Sequence, residues 1–128
     1  MDAENILKTK KSFAIIGVPQ DQARYGFEVF HTLLEHGYTV YPINPKYDQI
    51  AGHRCYPSLV ELPENPEVVI AVLSPKNTER IIDRVAQMEN VIFWMPPGSW
   101  SDEVLKKCSV LGIAHLYDIC PVGKLKML

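Results

Sequence analysis

The segment Phe13–Gly26, FAIIGVPQDQARYG, constrains this chain more than any other stretch. The apolar run Ser12–Gly17 is rich in isoleucine, too short for a helix and stopped by a glycine, which suits a strand buried on both faces. A polar loop follows. From Arg24 to His36 apolar residues then recur at helical spacing, with Tyr25, Val29 and Leu33 on one row and Phe27, Phe30 and Leu34 beside it. Gly37 suits the left-handed position just past the helix end. A strand that runs through a glycine turn into a helix N-terminus is a common way to hold phosphate, because free backbone N–H groups and the positive end of the helix dipole both favour an anion.

The rest of the chain repeats the alternation. Residues 1–11 read as a short helical or frayed lead-in. Tyr38–Ile43 gives a second strand, ending at or near Pro42, whose missing N–H restricts where it can sit in a sheet. Gly52–Tyr56 reads as a short irregular strand and Ser58–Leu62 as a single helical turn. Glu67–Leu73, EVVIAVL, is the clearest buried strand. Asn77 is the expected cap of a helix through Met88, with Ile81, Ile82 and Val85 toward the sheet. Val91–Met95 gives a fourth strand, broken by Pro96-Pro97-Gly98. Ser99 or Ser101 caps the next helix, which stops near Gly112, and Ile113–Leu116 forms a fifth strand.

This order predicts an α/β domain spanning 1–128: an open parallel sheet of about five strands with right-handed crossovers and helices on both faces. At 128 residues the chain is long enough to bury a real core, and 47% apolar with 22% charged residues argues against disorder. A formal net charge of −2 gives no electrostatic case for nucleic acid or membrane surfaces. No apolar run reaches the roughly 18 residues of a membrane span. The start, MDAENILKTKK, lacks the apolar core of a secretory signal. Three cysteines, Cys55, Cys108 and Cys120, have neither zinc-knuckle nor CxxC spacing, and an odd number without a signal argues for a reducing, cytoplasmic setting. No metal site is expected, and self-association is left open.

In sheets of this kind ligands sit beyond the carboxyl ends of the strands. The loops to watch are therefore Gly17–Arg24, Pro42–Lys46, Ser74–Asn77, Met95–Ser99 and Leu116–Pro121. A dinucleotide fingerprint needs glycines at 17, 19 and 22, but Pro19 and Gln22 occupy the last two positions. The acidic residue that would grip a free ribose diol after the second strand is also missing. Asn44 and Lys46 stand there instead, and a cation suits a phosphorylated ribose better. Read without function, Asn44-Pro45 is a turn and Lys46 a solvated charge.

The stretch GVPQDQARYGFEVFHTLLEHGYTVYPINPKYDQIAGHRCYPSL resembles the single-domain CoA-binding proteins related to the N-terminal domain of the succinyl-CoA synthetase alpha subunit. The family motifs LxxxGYxVxPVNP and GxxxYPSL are matched here by Leu33–Pro45 and Gly52–Leu59. The later apolar strand, the Trp-containing strand and a cysteine near the C-terminus correspond as well. The resemblance implies a Rossmann-like fold and CoA or acyl-CoA as the ligand. It places Gly17, Val18 and Pro19 against the pyrophosphate or ribose through their backbone, with Arg24 adding charge. Asn44, Pro45 and Lys46 would flank the adenosine end, with Lys46 near the 3′-phosphate. Ser74 and Pro75 would border the adenine or pantetheine, and Met95, Pro96, Pro97 and Gly98 would line the pantetheine side. Two departures alter that site. Val18 and Pro19 stand where many relatives have a serine, and FWMPPG replaces a common WLQxG, removing two N–H donors.

No catalytic constellation emerges. His31, His36, His53 and His115 are scattered, and the spacing of the first two does not put them on one helix face. The related synthetases use a phosphorylated histidine carried by a separate domain. Cys120 should follow the fifth strand on the ligand side, where a thiol could exchange with CoA; otherwise it is a small hydrophobe anchoring the C-terminal segment. Trp94 and Trp100 read first as core. Function accordingly reads as a non-catalytic or regulatory module that binds CoA or acyl-CoA. The alternatives are an NADP-type oxidoreductase or partner subunit of an acyl-CoA-metabolising enzyme, and an interaction protein whose pocket no longer binds.

Overall fold

A computed structural model describes residues 2–128. Five parallel strands form the main sheet: β1 (Ser12–Ile16), β2 (Thr39–Ile43), β5 (Val68–Ala71), β6 (Ile92–Met95) and β7 (Ala114–Tyr117), in the order β2-β1-β5-β6-β7. Between β2 and β5 lie a small antiparallel hairpin, β3 (Gln49–Ile50) with β4 (His53–Arg54), and a 3₁₀ turn at Leu59–Glu61. The single irregular strand expected over Gly52–Tyr56 is thus half of a hairpin. It is turned through Ala51 and Gly52, both at positive φ. Of the expected lead-in over 1–11, residue 1 lies outside the described residues and Ala3–Thr9 form α1.

The remaining helices are α2 (Tyr25–Glu35), α3 (Pro75–Ala86), α4 (Asp102–Val110) and α5 (Pro121–Lys126). Period-two alternation assigns the two faces of the sheet. Phe13, Ile15, Val68, Ile70, Trp94 and Leu116 pack with residues of α1, α2 and α5. Ala14, Ile16, Val69, Ala71, Phe93 and Met95 pack with residues of α3, α4 and the 3₁₀ turn. Both faces are covered, so β1 and β5 are buried along their whole length, as unbroken apolar runs require. Each fully buried Phe, Ile or Leu contributes roughly 1.5–3 kcal/mol relative to exposure.

Local chemistry sets the helix ends. Gly37, at φ +88, closes α2 with the Tyr38 N–H bonded to the Leu33 carbonyl and the Gly37 N–H to the Leu34 carbonyl, a Schellman arrangement. Gly112 closes α4 in the same way, through bonds to Cys108 and Ser109. Helix α3 starts earlier than Asn77: the Ser74 hydroxyl accepts from the Asn77 N–H at 3.4 Å and Pro75 occupies the first turn. A proline preset for helical φ and lacking an N–H costs nothing there, so Ser-Pro is the start signal and Asn77 lies inside. Ser101 caps α4.

The chain leaves β1 toward β2 on one side, and the strand on the other side of β1 is β5, reached only later. The connections therefore diverge beyond the carboxyl ends of β1 and β5, which opens a cleft at that point.

Candidate functional site

The loop leaving β1 is held by two glycines. Gly17 sits at φ +96, and a Cβ there would fall 2.3 Å from the Val72 carbonyl oxygen, so no other residue fits. Its N–H bonds the Ile43 carbonyl at 2.9 Å, which ties the turn to the end of β2. Gly26, in the first turn of α2, is also confined. A Cβ would lie 2.9 Å from both the Gly17 carbonyl oxygen and Pro19 Cδ. The missing side chain lets the helix backbone rest directly on the loop. Val18 is completely buried beneath.

Helix α2 begins without a side-chain cap. Its N-cap residue, Arg24, is extended and makes no capping bond, whereas Asp2, Ser74, Ser101 and Cys120 each cap their helices through a side chain. Asp21 turns instead onto the loop, accepting from the Ala23 N–H at 3.0 Å. The Phe27 and Glu28 N–H groups bond the Arg24 carbonyl at 3.1 and 3.2 Å, so among the described residues it is the Tyr25 and Gly26 N–H groups, at the positive end of the dipole, that have no protein acceptor.

A cleft of about 240 Å³ opens beside this helix start. Arg24 and Tyr25 line one side, Ala71 to Ser74 the floor beyond β5, and Pro96 to Ser99 the opposite wall. That wall is a tight turn in which the Ser99 N–H and hydroxyl both bond the Pro96 carbonyl, at 3.1 and 2.6 Å, with Gly98 at φ +89. Pro97 then Gly98 at the central positions is the type II pattern, so the prolines that remove two donors also fix the shape of the wall. A hollow of about 500 Å³ between Leu59–Asn65 and the end of α3 lies at the amino ends of the strands, away from every one of these loops. Another, of about 580 Å³, runs along the outer side of α2 and shares Arg24 and Tyr25 with the cleft.

Among the sequence candidates, Arg24, Ser74, Pro96, Pro97 and Gly98 meet in this cleft. Gly17, Val18 and Pro19 form the loop packed against its Val72 and Leu73. Asn44 sits at the end of β2 and donates from Nδ2 to the Val18 carbonyl at 3.0 Å, while Pro45 and Lys46 are exposed beyond it. Pro75 belongs to the first turn of α3 and does not line the cleft. Met95 does not line it either. Its side chain is fully buried in the core shared with α3 and α4, because alternation along β6 turns it away from the site.

Cys120 is one residue removed from the cleft. Its Sγ accepts from the Tyr25 hydroxyl at 3.1 Å and from the Gly123 N–H at 3.4 Å, capping α5. Burial, and then the bond to Cys120, pushes the Tyr25 phenol well above its ordinary value of 10.0. Trp94 is core, as expected, with its indole N–H on the Ile119 carbonyl at 2.8 Å. Trp100 is half-buried, bonded to Asp118 at 3.2 Å and edge-on to Tyr117 at 4.9 Å.

Sequence reasoning missed Tyr25, Ala71, Val72, Leu73 and Ser99 as lining residues. The signal for Tyr25 was its place in the first helical turn, beyond its membership of the apolar row Tyr25–Val29–Leu33; it packs against the core and also borders the cleft. None of the four histidines lines the cleft: His31 pairs with Glu35 at 2.9 Å, His36 and His115 contact the carbonyls of Thr32 and Ile113, and His53 lies against Phe30. Among the described residues no group of three His, Cys, Asp or Glu is placed to hold a metal ion, and no helix is long and apolar enough to cross a membrane.

A doubly wound parallel sheet with its cleft at the divergence of β1 and β5, beside a glycine-bounded helix start, defines a Rossmann-like α/β protein. The chain belongs to the CoA binding domain family, which residues 11–125 match. It is similar to a structure described as a hypothetical protein from Pyrococcus horikoshii OT3, with a TM-score of 0.91 and 31% identity covering 99% of this chain and 89% of that one. It is 32% identical over 79 residues to an ADP-forming acetate–CoA ligase I of Archaeoglobus fulgidus, a match covering 62% of this chain but 12% of the ligase. Bacillus subtilis YneT is 21% identical over 119 residues, covering 93% of this chain and 88% of that protein.

Proposed function

We propose that this chain is a CoA-binding domain that takes CoA or an acyl-CoA at the carboxyl ends of its strands, as a non-catalytic or regulatory module. The observation that carries this reading is the uncapped start of α2, set by Gly26 against the Gly17–Pro19 loop and opening on the cleft. An anion is the missing acceptor for such a helix end, and a pyrophosphate supplies one. Arg24 adds an exposed positive charge beside it.

From the pyrophosphate the ligand has two ways to run. One leads over the end of β2, where Lys46 would meet the 3′-phosphate and Pro45 the adenosine. The other leads through the cleft, where Leu73, Ser74 and the Pro96–Ser99 turn offer a narrow channel of mixed polar and apolar lining for pantetheine. Tyr25 and, behind it, Cys120 stand on the α2 side of that channel. Family membership and the ligases named for CoA chemistry support this assignment.

Thermal unfolding with CoA, acetyl-CoA, dephospho-CoA, NADP and NAD tests it. A ligand that binds the native state raises Tm by mass action, by roughly 2.7 kcal/mol of stabilisation at a hundred times its Kd. CoA and acetyl-CoA are expected to stabilise most. A shift with NADP and none with CoA would replace this reading with a dinucleotide one.

A further inference from the structure

We infer that Asn44 is a positioning residue for the pyrophosphate loop and not a contact to the ligand. This rests on the CoA reading above and assigns how its phosphate site is held in shape. Every polar group of Asn44 already has a protein partner. Nδ2 donates to the Val18 carbonyl at 3.0 Å and Oδ1 accepts from the Lys46 N–H at 3.0 Å. Its backbone N–H bonds the Tyr56 carbonyl at 3.0 Å, and its own carbonyl accepts from the Tyr47 N–H at 3.4 Å and the Cys55 thiol at 3.5 Å.

The bond to Val18 crosses from the end of β2 to the loop after β1, two segments 26 residues apart in the chain. It acts where an anion site is most vulnerable. A loop that binds phosphate through N–H groups must keep its carbonyl oxygens away from the charge, since each repels an anion at close range. Two such oxygens are turned toward the protein here, one of them hydrogen-bonded. That of Gly17 is covered by Gly26, whose Cβ would stand 2.9 Å from it, and that of Val18 is taken by the Asn44 amide. The Gly17 N–H, bonded to Ile43 at 2.9 Å, and the Asn44 amide anchor the loop to β2 at successive residues. Because the other end of the same amide holds the Lys46 N–H, one side chain sets both the loop expected at the pyrophosphate and the start of the loop carrying Lys46.

The test uses Asn44→Asp, which keeps the shape and the acceptor for Lys46 but sets an oxygen against the Val18 carbonyl. Calorimetric titration of the full chain with CoA, dephospho-CoA, ADP, pantetheine and adenosine 3′-phosphate separates positioning from contact. Affinity for the three pyrophosphate ligands is expected to fall by about the same factor, roughly tenfold or more, with adenosine 3′-phosphate weakened much less, through the Lys46 loop and the added charge, and pantetheine unchanged. Asn44→Ala, which leaves both loop groups open to water, serves if the Asp variant fails to fold and is expected to give the same split. Binding of CoA within twofold of the parent by a folded variant overturns the inference, as does a loss that extends equally to adenosine 3′-phosphate, which marks a direct contact. Absence of CoA binding by the parent chain overturns the function proposed above and this inference with it.

Discussion

The backbone of Gly26 rests on the carbonyl of Gly17, so closely that a methyl group on Gly26 would sit 2.9 Å from that oxygen. This contact joins the first turn of α2 to the loop after β1 and sets the distance between the two halves of the proposed phosphate site. Gly26→Ala is expected to lose about 1–3 kcal/mol of stability by overpacking. It should also weaken CoA binding, because the helix start must retreat from the loop. Thermal melts with and without CoA measure both effects; an unchanged melt would mean that the loop can yield.

Arg24 is exposed and makes no capping bond in α2. Removing it should leave the free protein as stable as before, within about 0.5 kcal/mol, as for other surface changes. Arg24→Ala is expected to reduce CoA affinity about tenfold, the scale of one lost charge-assisted hydrogen bond. Raising the salt concentration should narrow the gap between variant and parent. A Lys46→Ala variant, by contrast, should lose only the preference for CoA over dephospho-CoA, read from the ratio of the two dissociation constants.

Thr78 carries the one buried side-chain polar atom among the described residues that lacks a hydrogen-bond partner. It sits on α3, facing the core beside Ile82 and Val85. Leaving a hydroxyl unsatisfied in that setting costs about 1–3 kcal/mol. Thr78→Val keeps the shape and removes the cost, so it is expected to raise stability by about 1 kcal/mol in urea unfolding. A destabilised valine variant would show that the hydroxyl finds a partner in solution.

Glu67 joins the starts of β1 and β5. Its Oε1 accepts from the Lys11 N–H at 2.8 Å and the Ser12 N–H at 3.3 Å, and the Lys11 bond above all holds the carboxyl below its ordinary value of 4.5. A carboxyl depressed on folding contributes stability that is fully present above pH 4.5 and lost as pH falls through its folded value. Acid unfolding of Glu67→Gln should therefore be flatter below pH 4.5 than that of the parent, and its stability at pH 7 lower. Identical acid limbs would remove Glu67 from this role.

The alkaline limb has the opposite sign. Cys55 and Cys108 are pushed above 9.0 and Tyr25 above 10.0, each chiefly by burial. Groups that resist ionisation only when folded contribute stability that is complete below their unfolded values and declines as pH rises past them. Stability should hold to about pH 9 and fall beyond it, less steeply in Tyr25→Phe. Denaturant midpoints between pH 8 and 11 provide the measurement.

Much of this was legible in the chain because period and punctuation agree. The isoleucine run before Gly17, the helix closed by Gly37 and the buried EVVIAVL strand each carry one unambiguous pattern. The missed features lie where local signals compete. Ser74-Pro75 starts α3, but Asn77 is an equally good cap three residues on. Helix α5 went unread because Pro121 and Gly123 look like a loop, and its cap is a thiol. The hairpin after Asp48 turns on Ala51 at φ +50, a conformation nothing about alanine announces. For the site, loops could be placed at strand ends, but the facing of each side chain could not. Met95 sits at such an end and points into the core, while Tyr25, legible only as part of the apolar row of α2, borders the cleft.

The turn from Pro96 to Ser99 has a consequence for recognition. Proline ring closure and the two bonds onto the Pro96 carbonyl leave that wall little freedom to lose. A ligand entering the cleft meets a surface already in its final shape, so discrimination there works by exclusion, through what the gap between Pro97 and Ser74 admits, and not by a wall that closes around its guest.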